Sequence, residues 1–245
     1  MAQYDNRYTA PTVGTRGAAQ DVDAGLRSYM LAVYNYMAGG VALTGVAAYL
    51  TYSMAASNPA FAQAIYGSPL KWVIMLAPLG IVFLMSAGAN RMSVGATQIA
   101  FWAFAAIMGV SLSSIFIVFT GQSIAQVFFI TAATFGALSI YGYTTKKDLS
   151  GWGSFLFMGL VGIIIASIVN IFLASSALMF AVNVIGILVF AGLTAYDTQR
   201  IKETYDVVAG DATLAAKAAI HGALTLYLDF INLFIMLLQL VGNRD

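Results

Sequence analysis

Cysteine is absent from the 245 residues, which excludes disulfides, thiolate catalysis and zinc–sulfur sites. Histidine occurs once, at His221, so a multi-histidine metal centre is excluded as well. Charge is scarce: 9% of residues are Asp, Glu, Lys or Arg, against about 25% in an average soluble domain. The 11 basic and 10 acidic side chains nearly cancel, which leaves no overall basic character for binding nucleic acid. What fills the chain instead is apolar. Hydrophobic residues make up 60% of it, and the mean hydropathy is +0.85. Such a chain has too little polar surface to face water, and the reading that remains is an integral membrane protein.

Apolar runs near 20 residues can cross a hydrocarbon core of about 30 Å as helices. Seven are present: Met30–Tyr52, Leu70–Ala89, Gln98–Phe119, Ser123–Tyr141, Ser154–Leu173, Ala177–Tyr196 and Ala219–Val241. Strands of a membrane barrel would alternate apolar and polar residues, and stretches such as Val161-Gly-Ile-Ile-Ile-Ala do not. The junctions Thr120–Gln122 and Ala174–Ser176 are so short that their flanking helices form antiparallel hairpins. The sequence therefore predicts an all-α, polytopic fold: a seven-helix transmembrane domain over residues 26–245. Before it, residues 1–25 are polar, carry Pro11, Gly14 and Gly17, and read as a disordered cytoplasmic tail with no signal-peptide pattern.

Loop charges set a direction. One side collects Arg7, Arg16, Arg27, Arg91, Lys146, Lys147, Arg200, Lys202 and Lys217, and the other only Lys71 and Arg244. Nine against two is a strong positive-inside signal, which puts the amino terminus in the cytoplasm and the carboxyl terminus outside. Packing reads as close-set, with 23 glycines but no GxxxG dimer motif. Pro78 interrupts the second span and is expected to kink it.

Two acids lie in or against apolar spans: Asp197 ends the sixth and Asp229 sits inside the seventh. A charged Asp at mid-bilayer costs roughly 2.5–3.5 kcal/mol on insertion scales, so such residues turn inward to a partner or to water. Thr225, Asp229, Asn232, Met236 and Gln239 recur at helical spacing and form one stripe of the seventh helix. Asn183, Gly186, Phe190, Thr194 and Asp197 do the same on the sixth. Asn170 and Ser167 on the fifth, with Ser111 and Ser114 on the third, are candidates to complete a polar lining. Two carboxylates in one low-dielectric site cannot both ionise cheaply, so the pair titrates as a unit. Fully ionised, it also offers oxygen ligands to a hard cation. Arg91 reads either as a snorkelling anchor or as a charge partner for Asp197. His221 reads more readily as structural than as a proton relay.

Three segments carry a resemblance. Tyr141-Gly-Tyr-Thr-Thr-Lys-Lys-Asp-Leu-Ser150, Ala195-Tyr-Asp-Thr-Gln-Arg-Ile-Lys202 and Gly222-Ala-Leu-Thr-Leu-Tyr-Leu-Asp-Phe-Ile-Asn-Leu-Phe234 are similar to the Bax-inhibitor family of membrane proteins, most of all to its bacterial branch. The likeness runs from about residue 25 to the end. It implies six helices surrounding a central seventh, and a pH-sensitive calcium leak with Asp197 and Asp229 as the paired, ion-binding acids. By position it also implies that Arg91 is a latch onto Asp197, and it marks Tyr205–Lys217 as a long connection.

The leading expectation is thus a pH-sensitive calcium, or cation, leak channel gated by a paired-aspartate proton sensor. Thr225, Asn232, Asn183 and Asn170 would line its pore. No cofactor is expected, calcium is the permeant or bound ion, and a bacterial member would sit in the inner membrane. The alternative is a non-conducting membrane modulator of a partner such as a quality-control protease. Catalysis is not expected. An intramembrane aspartyl protease would need Gly-x-Gly-Asp where the chain has Leu226-Tyr-Leu-Asp229, and a later Pro-Ala-Leu where no proline follows Pro78.

Overall fold

In the computed structural model of the chain, residues 13–89 and 91–244 are described, with side chains from Ala24 onward. Seven long helices organise it: α1 Val13–Ser57, α2 Leu70–Gly88, α3 Val94–Leu112, α4 Gly121–Thr144, α5 Ser150–Leu173, α6 Ser176–Val208 and α7 Ala212–Val241. A helical turn, Pro59–Ala62, and a π turn, Gln63–Gly67, lead into α2, and a further turn, Ile115–Val118, prolongs α3. Each of the seven is long and apolar enough to cross a membrane. The all-helical, seven-span expectation is met.

The helix starts follow from capping. Ser93, Thr120 and Ser175 each accept a backbone N–H from the first turn of α3, α4 and α6, and the Asp211 carboxylate accepts from Thr213 and Leu214 at the start of α7. Between α5 and α6, Ala174 takes the left-handed conformation (φ 46°) that reverses the chain in two residues. Pro78 lies inside α2, so the carbonyl of Ile74 has no amide donor one turn on.

Three boundaries differ from the sequence expectation. Residues 1–12 of the expected tail lie outside the described residues, while α1 already runs from Val13. The Ala18-Ala-Gln stretch beyond Pro11 is compatible with helix and extends the first span backward. The sixth helix continues twelve residues past Tyr196, to Val208. Its Gln199, Arg200, Lys202 and Glu203 are good helix formers, and hydropathy marks where apolarity stops rather than where the helix does. The seventh begins at Ala212, so the long connection expected over Tyr205–Lys217 shrinks to Ala209–Asp211.

Helix α7 is the centre. It packs on α1, α3, α4 and α6, whereas α2 leans on α3 and α5 on α6. Close approach depends on two glycines. A Cβ on Gly109 of α3 would lie 2.5 Å from the Thr44 carbonyl of α1, and one on Gly142 of α4 would overlap the Ala195 carbonyl of α6. Phe101 and Phe104 meet the Tyr227 ring edge-on, at 6.3 and 5.2 Å between centroids. Phe83, Phe129, Ile171 and Phe172 point outward, as lipid-facing side chains must in a fold whose solvent on most sides is hydrocarbon.

Candidate functional site: an acidic pair inside the bundle

The α6–α7 hairpin fixes which residues meet. Gly222 packs on Ile201 near the connection, and Gly186 packs on Met236 far from it. Between these two contacts the register brings Asp197 opposite Asp229. Asp197 stands eleven residues before the end of α6, and Asp229 seventeen after the start of α7. Measured against the register of the two glycine contacts, the pair is offset by three or four residues, about 5 Å at 1.5 Å per residue. Side-chain direction closes it. Every Cα–Cβ bond leans toward its own helix N-terminus, so on antiparallel helices Asp197 leans away from the connection and Asp229 toward it. The two carboxyls come within hydrogen-bonding reach of each other.

Their surroundings divide in two. Behind Asp229, which is 4% exposed, lies the packed core of α7. In front lies a cavity of about 1000 Å3 between α5, α6 and α7, roofed in part by Leu79 of α2. Thr225, Asn232 and Ser167 line it with the two acids. The Thr225 hydroxyl donates to the His221 carbonyl at 3.2 Å, and Asn232 Nδ2 donates to the Leu228 carbonyl at 2.8 Å. Oxygen lone pairs of both side chains therefore remain for the cavity. Asp229 Oδ2 is buried without a donor among the described residues. In hydrocarbon that position calls for a proton, a water or a cation.

The other expected residues fall out as follows. Asn170 and Asn183 line a second cavity, of about 350 Å3, which shares Asn232 and Ser167 with the first. Ser111 and Ser114 do not join the lining. They face a separate hollow beside Lys71 and Trp72 of α2. Arg91 stands exposed in the α2–α3 connection, and the cation placed beside Asp197 is Arg200, one turn along the same helix. The structure thus brings the acid pair to Arg200 rather than to Arg91. His221 Nε2 is buried and without a partner among the described residues. No three His, Asp or Glu side chains converge among the described residues, so two carboxylates with neutral oxygens are what a cation would find here.

Sequence reading missed what the motif residues around the pair do. Gln199 spans the α4–α5 loop: its Oε1 accepts from Leu149 N at 2.8 Å and its Nε2 donates to the Lys147 carbonyl at 2.9 Å. Lys202 donates to the Tyr143 carbonyl at 2.9 Å and lies over the Tyr143 ring. Tyr34, Ser139 and Thr198 link α1, α4 and α6 through hydroxyls 2.7 and 3.0 Å apart. The signal that could have found these contacts was the density of polar residues in two short segments, Tyr143–Ser150 and Asp197–Lys202.

A seven-span, all-helical membrane protein with an acidic pair inside its bundle is the class so defined. Residues 26–245 match the family described as inhibitor of apoptosis-promoting Bax1, and the chain belongs to this Bax-inhibitor family. It is 49% identical over 233 residues to an uncharacterized protein of Rickettsia prowazekii, covering 95% of this chain and 97% of that one. It is 48% identical over 223 residues to the inner membrane protein YbhL of Escherichia coli K12, covering 90% and 94%. An uncharacterized membrane protein of Streptococcus pyogenes is 34% identical over 224 residues, covering 91% and 96%. The resemblance read from the three segments is borne out, and the protein is a multi-pass integral membrane protein.

Proposed function

We propose that the protein is a pH-sensitive leak pathway for cations, calcium among them, with Asp197 and Asp229 as its proton sensor and ion ligands. The observation that carries this reading is the contact of the two carboxyls at the wall of a cavity of about 1000 Å3 that also holds free oxygens of Thr225 and Asn232. Two carboxyls can hydrogen-bond to each other only while they keep a proton between them. When it leaves, two facing anions repel, and the arrangement persists only if a cation takes the proton's place. One chemical event thus couples pH, cation occupancy and the spacing of α6 and α7. The donor set is thinner than the six to eight oxygens of a calcium cage, which suits an ion in transit that keeps part of its water. Nothing in the route requires turnover chemistry.

The end of the bundle carrying Arg91, Lys146, Lys147, Arg200 and Lys202 is assigned to the cytoplasm on the positive-inside bias. Purified protein in liposomes loaded with a calcium indicator tests the function. The expected result is a calcium influx that changes steeply with pH and is absent from protein-free liposomes. Inserted protein that passes no cation at any pH would overturn the reading and leave the non-conducting modulator of a membrane partner, such as a protease, in its place.

A further inference from the structure

The acid pair occupies only one of two chambers along the α5–α6–α7 seam. The second, of about 350 Å3, holds no charged side chain, and its polar lining is Ser167, Asn170, Asn183, Asn232 and Gln239. Ser167, Ile171, Asn232 and Met236 belong to both chambers, so the two adjoin, with Ile171 on their outer, lipid-facing rim. On α7, Thr225, Asp229, Asn232, Met236 and Gln239 bring successive turns to the seam. They run from the acids to within two residues of the helix end at Val241.

Two features give this second chamber a use. Its amides keep free lone pairs: Asn232 donates Nδ2–H to Leu228 and keeps its carbonyl oxygen, Asn170 Oδ1 accepts one N–H, from Ser175 at 3.0 Å, and Asn183 is buried against the chamber wall. Neutral carboxamide and hydroxyl oxygens are acceptable ligands for a hard cation that retains some water, and they are costly in hydrocarbon when nothing polar fills the space between them. Met236 then stands where the two adjoin, with its thioether against Gly186, where a Cβ would overlap the sulfur. An unbranched side chain with three rotatable bonds can swing out of such a notch without moving a helix.

We propose that the amide-lined chamber is a second cation-binding site in series with the acid pair, and that Met236, seated on Gly186, is the barrier between the two. The cation rests on the leak reading above, whereas the barrier is defined by water access alone.

The absence of cysteine makes the test direct. Thr225→Cys reports the first chamber and Gln239→Cys the second. Each is placed in the full chain in liposomes, with a charged, membrane-impermeant thiol reagent added to one side at a time. Each cysteine is expected to react from its own side only. Met236→Ala on either background should abolish that sidedness and raise calcium flux, and Met236→Leu, of similar volume, should change neither. Met236→Val, a smaller truncation expected to lose sidedness too, guards against a folding failure. Sidedness kept in both truncated variants, or a Gln239→Cys that reacts from neither side, would overturn the proposal. Sidedness lost with no cation flux at any pH would keep the barrier and refute the leak.

Discussion

The Tyr227 phenol and the Thr44 hydroxyl lie 2.6 Å apart, buried where α7 meets α1. Thr44 gives its own proton to the Ala105 carbonyl at 2.8 Å, so Tyr227 must be the donor in this pair, and one hydroxyl ties three helices. The two ends of the bond are not equivalent. Tyr227→Phe leaves Thr44 its acceptor and should cost about 0.5–1.5 kcal/mol, whereas Thr44→Val strands a buried phenolic proton and should cost about 1–3 kcal/mol. Unfolding in mixed micelles measures both. Equal losses would mean that the phenol finds another acceptor.

Gln199 offers a contrast of donor and acceptor at one side chain. Gln199→Glu keeps the oxygen that takes the Leu149 amide and loses the nitrogen that serves the Lys147 carbonyl, while Gln199→Leu loses both. Hydrogen exchange at Leu149 should therefore quicken in the Leu variant and stay close to wild type in the Glu variant. Fast exchange in both would show that the loop is held elsewhere.

Much of this architecture is legible in the sequence, and the reason is the solvent. In hydrocarbon a long apolar run has few structural options, so the seven spans could be placed, and the stripe from Thr225 to Gln239 announced its face by spacing. What could not be placed depended on pairs far apart in the chain. Gln199 and Lys147 are joined across 52 residues, and no periodicity reports such a bond. Ser111 and Ser114 carry the same polarity as Ser167, yet face another helix. Hydropathy shows the apolar part of α6, to Tyr196, and not its last three turns, which are polar and run to Val208.

Asp148 sets an acid-side limit on the same loop. It is exposed, and hydrogen bonding from the Ser150 hydroxyl and then from the Ser150 amide, at 2.8 Å, holds its carboxylate below the ordinary value of 3.8. A depressed carboxyl contributes stability that is present above the ordinary value and is lost as pH falls through the depressed one. The Ser150 amide should lose its protection from exchange only below about pH 4, the ordinary carboxylate range. Asp148→Asn should retain that protection and remove its pH dependence, because an amide oxygen accepts without titrating. Protection that titrates unchanged in the Asn variant would place the sensing group elsewhere.

Arg200 and Arg91 compete for the role of cationic partner to the pair. Coulomb energy falls with distance and is screened by water, and Arg200 lies beside Asp197 while Arg91 is exposed in a separate connection. Arg200→Gln should therefore shift the pH midpoint of cation flux further than Arg91→Ala, with little change in maximal flux for either. A larger shift in the Arg91 variant would show that a second arrangement of α2 brings Arg91 onto Asp197.

The decisive prediction concerns Asp197 and Asp229 together. Asn preserves the shape and hydrogen-bonding capacity of a protonated Asp and can never become the anion. In a pair that shares one proton, either single Asn variant removes the event that both residues perform. Asp197→Asn and Asp229→Asn should each abolish most of the pH dependence of cation flux, and the double variant should add little to either. Calcium should also compete less well against monovalent cations in all three, because a hard divalent ion loses an anionic oxygen. Burial separates the pair from simple surface effects, since Asp229 is only 4% exposed. If the two substitutions instead act additively on the pH profile, the acids titrate independently and the shared-proton mechanism fails even in a protein that conducts. If Asp197→Asn is silent while Asp229→Asn acts, the sensor is a single acid and the contact between them is structural.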